Sequence, residues 1–363
     1  MIKALKNQVR RIREKRKSWK LARYIKRYDH APSNEDKLQW EDIHSIALLR
    51  WDNKLGDAIM CGAFLSAMRQ HRPDIKITII TQTFCADWFK KIFPECDIIL
   101  CGGRSVKNAE SFAQYRGQFD ALVDLGTYFS FKELAAIYHL GAPFNIGYDK
   151  EKHPIFTHNV PLEFIHFKQR YLQAAQLFIS EILDNDIDLP VLNFAHVETF
   201  ALSEHHNHVA INLFGASKYR QFNPPYSLNF LNAWLNEFPN DHLHLIPVPG
   251  KIEALESLIL DLNNPRVSLA SKVPSLELTL RLLSQVDLCF TTDTSVVHMA
   301  SALNTPTLAV FGDNTQNIAE WCPIAKHTEI ILNPKPNTEY HRVFVHEFDW
   351  NDFTTKRKSL IKS

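Results

Sequence analysis

The chain has 363 residues, of which 45% are hydrophobic and 22% charged, and its formal net charge is +1. This length is too great for one ordinary hydrophobic core and predicts two domains of about 150 residues each. No apolar run approaches the roughly 18 residues of a membrane-spanning helix, and no export signal is recognisable, so we expect a cytoplasmic protein. The six cysteines form no Cys-x-x-Cys pair, which is typical of reduced, mostly buried thiols.

The first 28 residues concentrate the positive charge of the chain. They hold 12 of the 41 Lys and Arg residues and a single acid, Glu14, so the rest of the chain is net negative. Apolar residues recur near one helical face, which predicts an amphipathic helix that lies on an anionic bilayer. A solvated basic helix packed on the acidic remainder is the alternative. Nucleic acid is not an expected partner, because no motif that reads nucleic acid follows.

Strands and helices alternate after a polar, proline-containing linker at 30–42. The predicted strands of this first half are 43–51, 75–81 and 119–126, and the predicted helices are 58–71 and 130–142. Such alternation indicates βαβ units in a parallel sheet.

The first strand runs into a polar corner within RWDNKLGDAI (50–59). Gly56 permits a tight turn there, and Asp57 falls in the first turn of the next helix, where the helix dipole stabilises a carboxylate. Helix capping alone is the alternative explanation of this Gly-Asp pair.

The same pattern restarts after a long helix predicted at 166–183. The second set of strands is predicted at 208–215, 243–248, 266–270, 287–292 and 307–312, with helices at 227–238, 251–263, 275–285 and 296–303. The sequence therefore predicts two consecutive α/β halves with a cleft between them. Ligands of open parallel sheets bind at the carboxyl ends of the strands.

Two loops of the second half are candidates for phosphate binding. A strand breaks into the polar sequence TDTSVVH (292–298), which starts a helix with His298 in its first turn. The free N–H groups of a helix N-terminus form an anion site that hydroxyls and an imidazole would extend. A helix cap with a buried core histidine is the alternative. The basic loop after INLFGAS (211–217), with Lys218 and Arg220, is a weaker candidate for the same role.

Together these features resemble glycosyltransferase family 9, the bacterial heptosyltransferases that build the lipopolysaccharide core. RWDNKLGDAI is similar to the Arg-x-Asp-x-x-Gly-Asp segment of that family, and TDTSVVHMASALNTPTLAVFG (292–312) is similar to its Asp-Ser/Thr-Gly-x-x-His signature. INLFGAS is similar to its Asn-Pro-Gly-Ala-Ser stretch, and FNIGY (144–148) fits a lesser landmark.

The resemblance implies the GT-B architecture, in which two Rossmann-like, doubly wound α/β domains face each other across a cleft. The boundaries that follow are a basic helical extension and linker (1–42), an acceptor-binding domain (43–195), a donor-binding domain (196–345) and a tail (346–363). The implied reaction is an inverting transfer of L-glycero-D-manno-heptose from ADP-heptose to Kdo-lipid A or the inner core of lipopolysaccharide, with no metal or other cofactor.

Roles for individual residues follow by position. Asp57 would be the general base that deprotonates the acceptor hydroxyl. The donor would be bound by Asp293, Thr294, Ser295, Val296, His298, Ser217 and Arg220. Apart from the resemblance, Lys54, Lys90, Lys91, Arg104 and Lys107 are candidates for binding acceptor phosphates, and ordinary surface charge is the stronger explanation of these cations.

Two stretches have a residue spacing that also occurs in metal sites. DNDID (184–188) has the Asp-x-Asp spacing of metal-dependent glycosyltransferases, and His205, His206 and His208 lie close together in the sequence. A solvated turn and a surface lead-in to a strand are the expected explanations, so no metal site is predicted.

The chain departs from the family pattern in ways that leave the donor and acceptor open. Ser295 stands in place of the usual glycine, and Phe214 stands where the family often has proline. One alternative is a related enzyme that uses another nucleotide sugar or acceptor, such as a hexose or a protein. Another is a non-catalytic scaffold that binds glycans or nucleotides at a membrane. The basic first 28 residues fit a peripheral enzyme on the inner face of the inner membrane.

Overall fold

The structure, a computed structural model, describes residues 2–32, 39–127, 129–161, 163, 165–181, 187–334 and 343–361. The chain divides into two compact units. The first unit comprises Met1–Lys54, Phe64–Glu163 and Lys168–Ile187, and the second comprises Leu55–Ala63, Phe164–Phe167 and Asp188–Ser363. Within the described ranges, no helix is long and apolar enough to span a membrane.

The first sheet has six parallel strands in the order β3-β2-β1-β4-β5-β6. The strands are β1 (Ser45–Arg50), β2 (Lys76–Thr81), β3 (Asp97–Leu100), β4 (Ala121–Asp124), β5 (Phe144–Tyr148) and β6 (His158–Val160). The helices in this part of the chain are α1 (Ile2–Tyr28), α2 (Leu55–His71), α3 (Thr83–Ile92), α4 (Val106–Ser111), α5 (Phe131–Leu140) and α6 (Phe167–Gln176).

The second sheet also has six parallel strands, in the order β12-β11-β10-β7-β8-β9. The strands are β7 (Asn207–Asn212), β8 (Asp241–Leu245), β9 (Val267–Leu269), β10 (Leu288–Thr292), β11 (Thr307–Gly312) and β12 (Thr328–Asn333). The helices are α7 (Pro224–Glu237), α8 (Ile252–Leu262), α9 (Leu276–Leu283), α10 (Ser295–Ala302), α11 (Thr315–Trp321) and α12 (Trp350–Leu360).

Both sheets have the strand order of a Rossmann fold, so the prediction of two doubly wound α/β halves is confirmed. The central strands are apolar along their length because helices cover both faces of a parallel sheet; Ile46–Leu49 in β1, for example, is fully buried. In each sheet the strand order reverses direction between two neighbours, β1 and β4 in the first and β7 and β10 in the second. A crevice for ligands is expected at the carboxyl ends of these strand pairs.

The helix predicted at 166–183 is wrong in its second half, because α6 ends at Gln176. The Gln176 side chain donates through Nε2 to the carbonyl oxygens of Ile179 and Glu181, at 2.7 Å in each case. These two bonds hold the chain in a turn where the apolar pattern alone predicts further helix.

The helix predicted for the basic N-terminal segment is present as α1, and its C-terminal end is fixed to the first unit. Tyr28 is 4% exposed, and its ring centroid lies 4.4 Å from that of Tyr138 in α5. The buried carboxylate of Asp29 lies 2.6 Å from His153 Nδ1 and accepts a hydrogen bond from the Ile155 N–H at 3.1 Å. This end of α1 is therefore part of the core of the unit.

The segment predicted as a C-terminal tail contains α12, which packs into the second unit. Phe353 is fully buried in its core. Arg357 forms a buried ion pair with Asp241, and Trp234 Nε1 donates to the same carboxylate at 2.7 Å. Removing either charge would leave the other buried without its partner, so this helix contributes to the stability of the unit.

Candidate active site

Polar groups gather where β10 passes into α10, at the carboxyl edge of the second sheet. Thr294 is the N-cap of α10, and its Oγ1 accepts a hydrogen bond from the Val296 N–H at 3.3 Å. Asn212, at the end of β7, donates through Nδ2 to Thr294 Oγ1 at 2.9 Å and to Thr291 Oγ1 at 3.1 Å. These bonds fix the N-terminus of α10 to the point where the strand order of the sheet reverses, which is the expected position of a ligand.

His298 lies in the first turn of α10 and is only 4% exposed. Its Nδ1 is buried and has no hydrogen-bond partner within the described ranges. Burial lowers the pKa of His298 to about 3, and the neighbouring His166 adds to this effect. The imidazole is therefore neutral at pH 7, and it retains a polar atom that a ligand can satisfy.

Asp293, which precedes the cap residue, is held by two other elements. Its Oδ2 lies 3.1 Å from Arg220 Nη2 and accepts a hydrogen bond from Asn317 Nδ2, in α11, at 3.2 Å. The Arg220 side chain is 48% exposed, whereas that of Asp293 is 14% exposed. A cation with an accessible side chain thus lies next to the N-terminus of α10, where an anion would bind.

A tight hairpin after β7 carries Arg220 to this position. An antiparallel bridge closes the hairpin, and the Gly215 N–H donates to the Arg220 carbonyl oxygen at 2.8 Å. A β-carbon on Gly215 would lie 2.8 Å from that oxygen and 3.2 Å from Thr294 Cγ2, so a side chain would separate the loop from α10. Ser217 is exposed at the tip of the hairpin.

The start of α2 approaches the same part of α10. A β-carbon built on Gly56 would lie 2.8 Å from His298 Cδ2 and 3.6 Å from the Cα of Ser295, and these residues all belong to the second unit. Asp57 is half-buried in the first turn of α2, and Lys54 is the exposed N-cap of that helix. Gly56, the residue before the predicted base, thus lies next to His298 and Ser295 of the predicted donor site.

The other predicted acceptor residues lie in the first unit and are not gathered in one place. Lys90 and Lys91 end α3, and because α3 runs antiparallel to the strands, they lie at the edge where the strands begin. Lys107 is exposed in the first turn of α4, at the opposite edge. Arg104 Nη2 lies 2.6 Å from the buried carboxylate of Glu133. Lys90 and Lys91 thus lie away from the edge at which a ligand is expected.

Three residues that the sequence analysis did not single out contribute to the site. Asn212 interrupts an apolar strand with an amide, which is a signal that could have been recognised. Asn317 and Trp321 carry no such local signal, because only the packing of α11 brings them to the site. The Trp321 ring centroid lies 5.7 Å from that of His298 and stacks on Phe167 at 4.0 Å.

Of the histidines that lie close together in the sequence, His206 and His208 contact other side chains of the protein. His208 Nδ1 lies 2.9 Å from His244 Nε2, and His208 Nε2 lies 2.9 Å from the Ser203 carbonyl oxygen. His206 stacks on His242 with ring centroids 4.1 Å apart. Among the described residues, no group of three or more His, Cys, Asp or Glu side chains could hold a metal ion. Most of the Asp-x-Asp stretch lies outside the described residues.

Comparison with protein families supports the resemblance drawn from the sequence. Residues 246–345 match the model of glycosyltransferase family 9 (heptosyltransferase), so the resemblance is confirmed over that range. No curated protein matches the chain significantly.

Several solved structures have a similar fold. A glycosyl transferase family 9 protein from Veillonella parvula matches with a TM-score of 0.65 and 15% identity, over 90% of this chain and 99% of that one. The E. coli ADP-heptose LPS heptosyltransferase II matches with a TM-score of 0.59 and 15% identity, over 87% and 98%. E. coli heptosyltransferase WaaC with ADP matches with a TM-score of 0.58 and 13% identity, over 87% and 100%. At these identities the likeness shows the fold, and the predicted GT-B architecture is confirmed.

Proposed function

We propose that the chain is an inverting glycosyltransferase that moves L-glycero-D-manno-heptose from ADP-heptose to the Kdo or inner-core region of lipopolysaccharide. The observation that carries this proposal is the close approach of Gly56, the residue before Asp57, to His298 and Ser295 in the first turn of α10. The family match of residues 246–345 supports the reaction class. The similar E. coli structure with ADP supports an ADP-linked donor.

The donor diphosphate would bind at the N-terminus of α10. The helix N–H groups and the helix dipole favour an anion there, and Arg220 adds a full positive charge. Because Arg220 is half-exposed, it can turn from Asp293 to a phosphate oxygen, with which it would form a charge-assisted hydrogen bond. The proposed donor contacts are Asp293, Thr294, Ser295, Val296, His298, Ser217 and Arg220.

His298 would take part as a neutral imidazole. Its unsatisfied Nδ1 is available to a hydroxyl or phosphate oxygen of the donor. An anion nearby favours the protonated ring, so donor binding is expected to raise the pKa of His298 from about 3.

Asp57 would act as the general base. Its carboxylate accepts the proton of the acceptor hydroxyl while the hydroxyl oxygen forms a bond to the anomeric carbon of the heptose. The bond from that carbon to the diphosphate oxygen breaks, and ADP leaves with the electron pair. Attack and departure occur on opposite faces of the sugar, so the configuration inverts. The α10 N–H groups and Arg220 stabilise the charge on the departing diphosphate, and this route needs no metal ion.

The acceptor would be a phosphorylated glycolipid, Kdo-lipid A or an inner-core oligosaccharide, at an anionic membrane surface. The basic residues of α1 support a peripheral location on the cytoplasmic face of the inner membrane. Lys54 would bind an acceptor phosphate, since it is exposed at the start of α2, three residues from the proposed base. Lys107 is a second candidate for this contact.

Replacement of the proposed base tests the assignment. In Asp57→Asn, transfer from ADP-heptose to a water-soluble, deacylated acceptor is expected to fall by about 10²–10⁴, while ADP affinity measured by calorimetry is retained. The control is Asp87→Asn, which changes an exposed carboxylate in α3. Near-normal turnover of Asp57→Asn would remove the base assignment.

Calorimetry with ADP, UDP and GDP tests the donor. ADP is expected to bind most tightly, and a clear preference for UDP would favour a related enzyme that uses a different nucleotide sugar. Mass spectrometry of the core oligosaccharide from a deletion strain then identifies the missing sugar and its linkage.

A further inference from the structure

α1 runs in the same direction as α5, against which it packs. The Tyr24 ring lies 5.2 Å from the Phe131 ring at the start of α5, and Tyr28 contacts Tyr138 near the end of α5. α5 starts at the carboxyl edge of the first sheet, because it follows β4 and leads back to the parallel strand β5. Lys20 Nζ also lies over Phe131, at 5.6 Å. The part of α1 that precedes Lys20 therefore extends past the carboxyl edge.

Residues 2–19, named here the basic arm, span about 27 Å of helix. Every residue from Ile12 to Lys20 is exposed, and the Trp19 side chain is 65% exposed. A helix with so little burial is marginal in water, so a surface that covers its apolar side chains would stabilise it. Five of these nine residues are Lys or Arg and one is an acid, Glu14, so the covering surface must be anionic.

Two other large apolar side chains are exposed at the same edge of the sheet. Phe84, in the first turn of α3 directly after β2, is 47% exposed, and Leu100, the last residue of β3, is 56% exposed. Leu100 is paired with Thr81, the last residue of β2, so the two apolar side chains follow neighbouring strands. Three strand spacings, about 15 Å, separate β3 from β4, the strand that precedes α5, and α1 with its basic arm packs against α5.

We propose that the carboxyl edge of the first sheet docks on an anionic phospholipid bilayer, with Trp19, Phe84 and Leu100 in the interface and the basic arm along the headgroups. Apolar and aromatic side chains enter the boundary between headgroups and acyl chains, and basic residues are attracted to anionic lipids within a Debye length of the surface. The inference rests on the proposed function in one respect, since that function requires a lipid-linked acceptor near the end of β1, at this same edge.

Vesicle binding by the full-length chain tests this orientation. Binding to phosphatidylglycerol-rich vesicles is compared for the wild type, for the double variant Phe84→Ser with Leu100→Ser, and for Leu260→Ser. Leu260 is 78% exposed on α8 of the second unit and serves as the matched control. Vesicles with brominated acyl chains report the depth of Trp19, because bromine quenches tryptophan fluorescence at short range.

The proposal predicts binding about tenfold weaker for the double variant and unchanged binding for Leu260→Ser. It also predicts that quenching by brominated acyl chains is smaller in Trp19→Phe than in the wild type. The wild type is expected not to bind vesicles of pure phosphatidylcholine. Equal binding of the double variant and the control would overturn it, as would quenching that Trp19→Phe leaves unchanged. Binding to phosphatidylcholine vesicles only when they carry Kdo-lipid A would also overturn it, because the ligand would then be the glycolipid.

A measurement of transfer to a water-soluble, deacylated acceptor distinguishes a failure of this inference from a failure of the proposed function. Phe84 and Leu100 have no part in the proposed chemistry, so the double variant is expected to keep that activity. Activity in the wild type without vesicle binding would refute the docking surface alone. Vesicle binding without any transfer would refute the proposed function alone.

Discussion

Gly56 is the residue at which the contact between α2 and α10 is most easily perturbed. In Gly56→Ala the new β-carbon would lie 2.8 Å from His298 Cδ2 and 3.3 Å from His298 Nε2. The His298 ring is 4% exposed and has Trp321 beside it, so it has little room to move aside. Overpacking of this kind typically costs about 1–3 kcal/mol.

The helical position of Gly56 partly offsets that cost. Alanine is better than glycine within a helix by about 0.5–1 kcal/mol, so the net loss of unfolding free energy is expected to be about 1 kcal/mol, within a range of about 0–2.5 kcal/mol. Because the displaced side chain is His298, a proposed donor contact, ADP affinity and kcat/KM for the proposed heptose transfer should fall as well, each by about tenfold for a loss of about 1.4 kcal/mol.

Thermal or urea unfolding, with calorimetry of ADP binding, measures both effects. Gly312→Ala is the control for stability, because a β-carbon on Gly312 would meet nothing within 4 Å. If Gly56→Ala unfolds no more easily than the wild type and binds ADP equally well, the close approach of α2 to α10 does not shape the proposed donor site.

Three further predictions concern other parts of the molecule. Asn317→Ala removes one of the donors that hold Asp293, so kcat/KM for the sugar donor should fall by about fivefold to tenfold, while unfolding free energy falls by about 1 kcal/mol or less; an unchanged kcat/KM would remove Asn317 from the proposed site. The pKa of His298 is about 3 in the folded chain, below its ordinary value of 6.5, so the unfolded state binds the proton first. The part of the unfolding free energy that depends on neutral His298 should therefore be fully present above pH 6.5. It should be lost as the pH falls towards 3, by up to about 1.4 kcal/mol per pH unit. Urea titrations should show a shallower decline for His298→Gln and the wild-type decline for His30→Gln, an exposed histidine; equal slopes for the two variants would contradict this. Deletion of residues 2–19 should weaken binding to anionic vesicles, as measured by flotation, and should leave transfer to a deacylated acceptor intact, as measured by mass spectrometry. Undiminished flotation would show that the basic arm does not contribute to membrane binding.

The elements that the sequence predicts well are those with a strong local signal. β11 coincides with the predicted strand, and α9 begins directly after Ser275, whose side chain accepts a hydrogen bond from the Leu278 N–H. β3 has only four residues, which are half-exposed, because an edge strand is covered on fewer sides than a central one. Its hydrophobic pattern in the sequence is therefore weak. The predicted helix at 166–183 was too long because the turn after Gln176 depends on hydrogen bonds that hydrophobic periodicity does not record.

The sequence by itself determined the α/β class, the two halves and the two polar corners. These features depend on periodicity, capping and chain reversal within about ten residues, so they can be read without knowledge of distant contacts. Only the tertiary structure decided that Gly56 lies against His298 and that Asn317 holds Asp293. It also decided at which edge of the first sheet α1 extends, because the contact that holds the end of α1 joins Asp29 to His153, 124 positions away. Such contacts follow from strand order and helix packing, which no local pattern encodes.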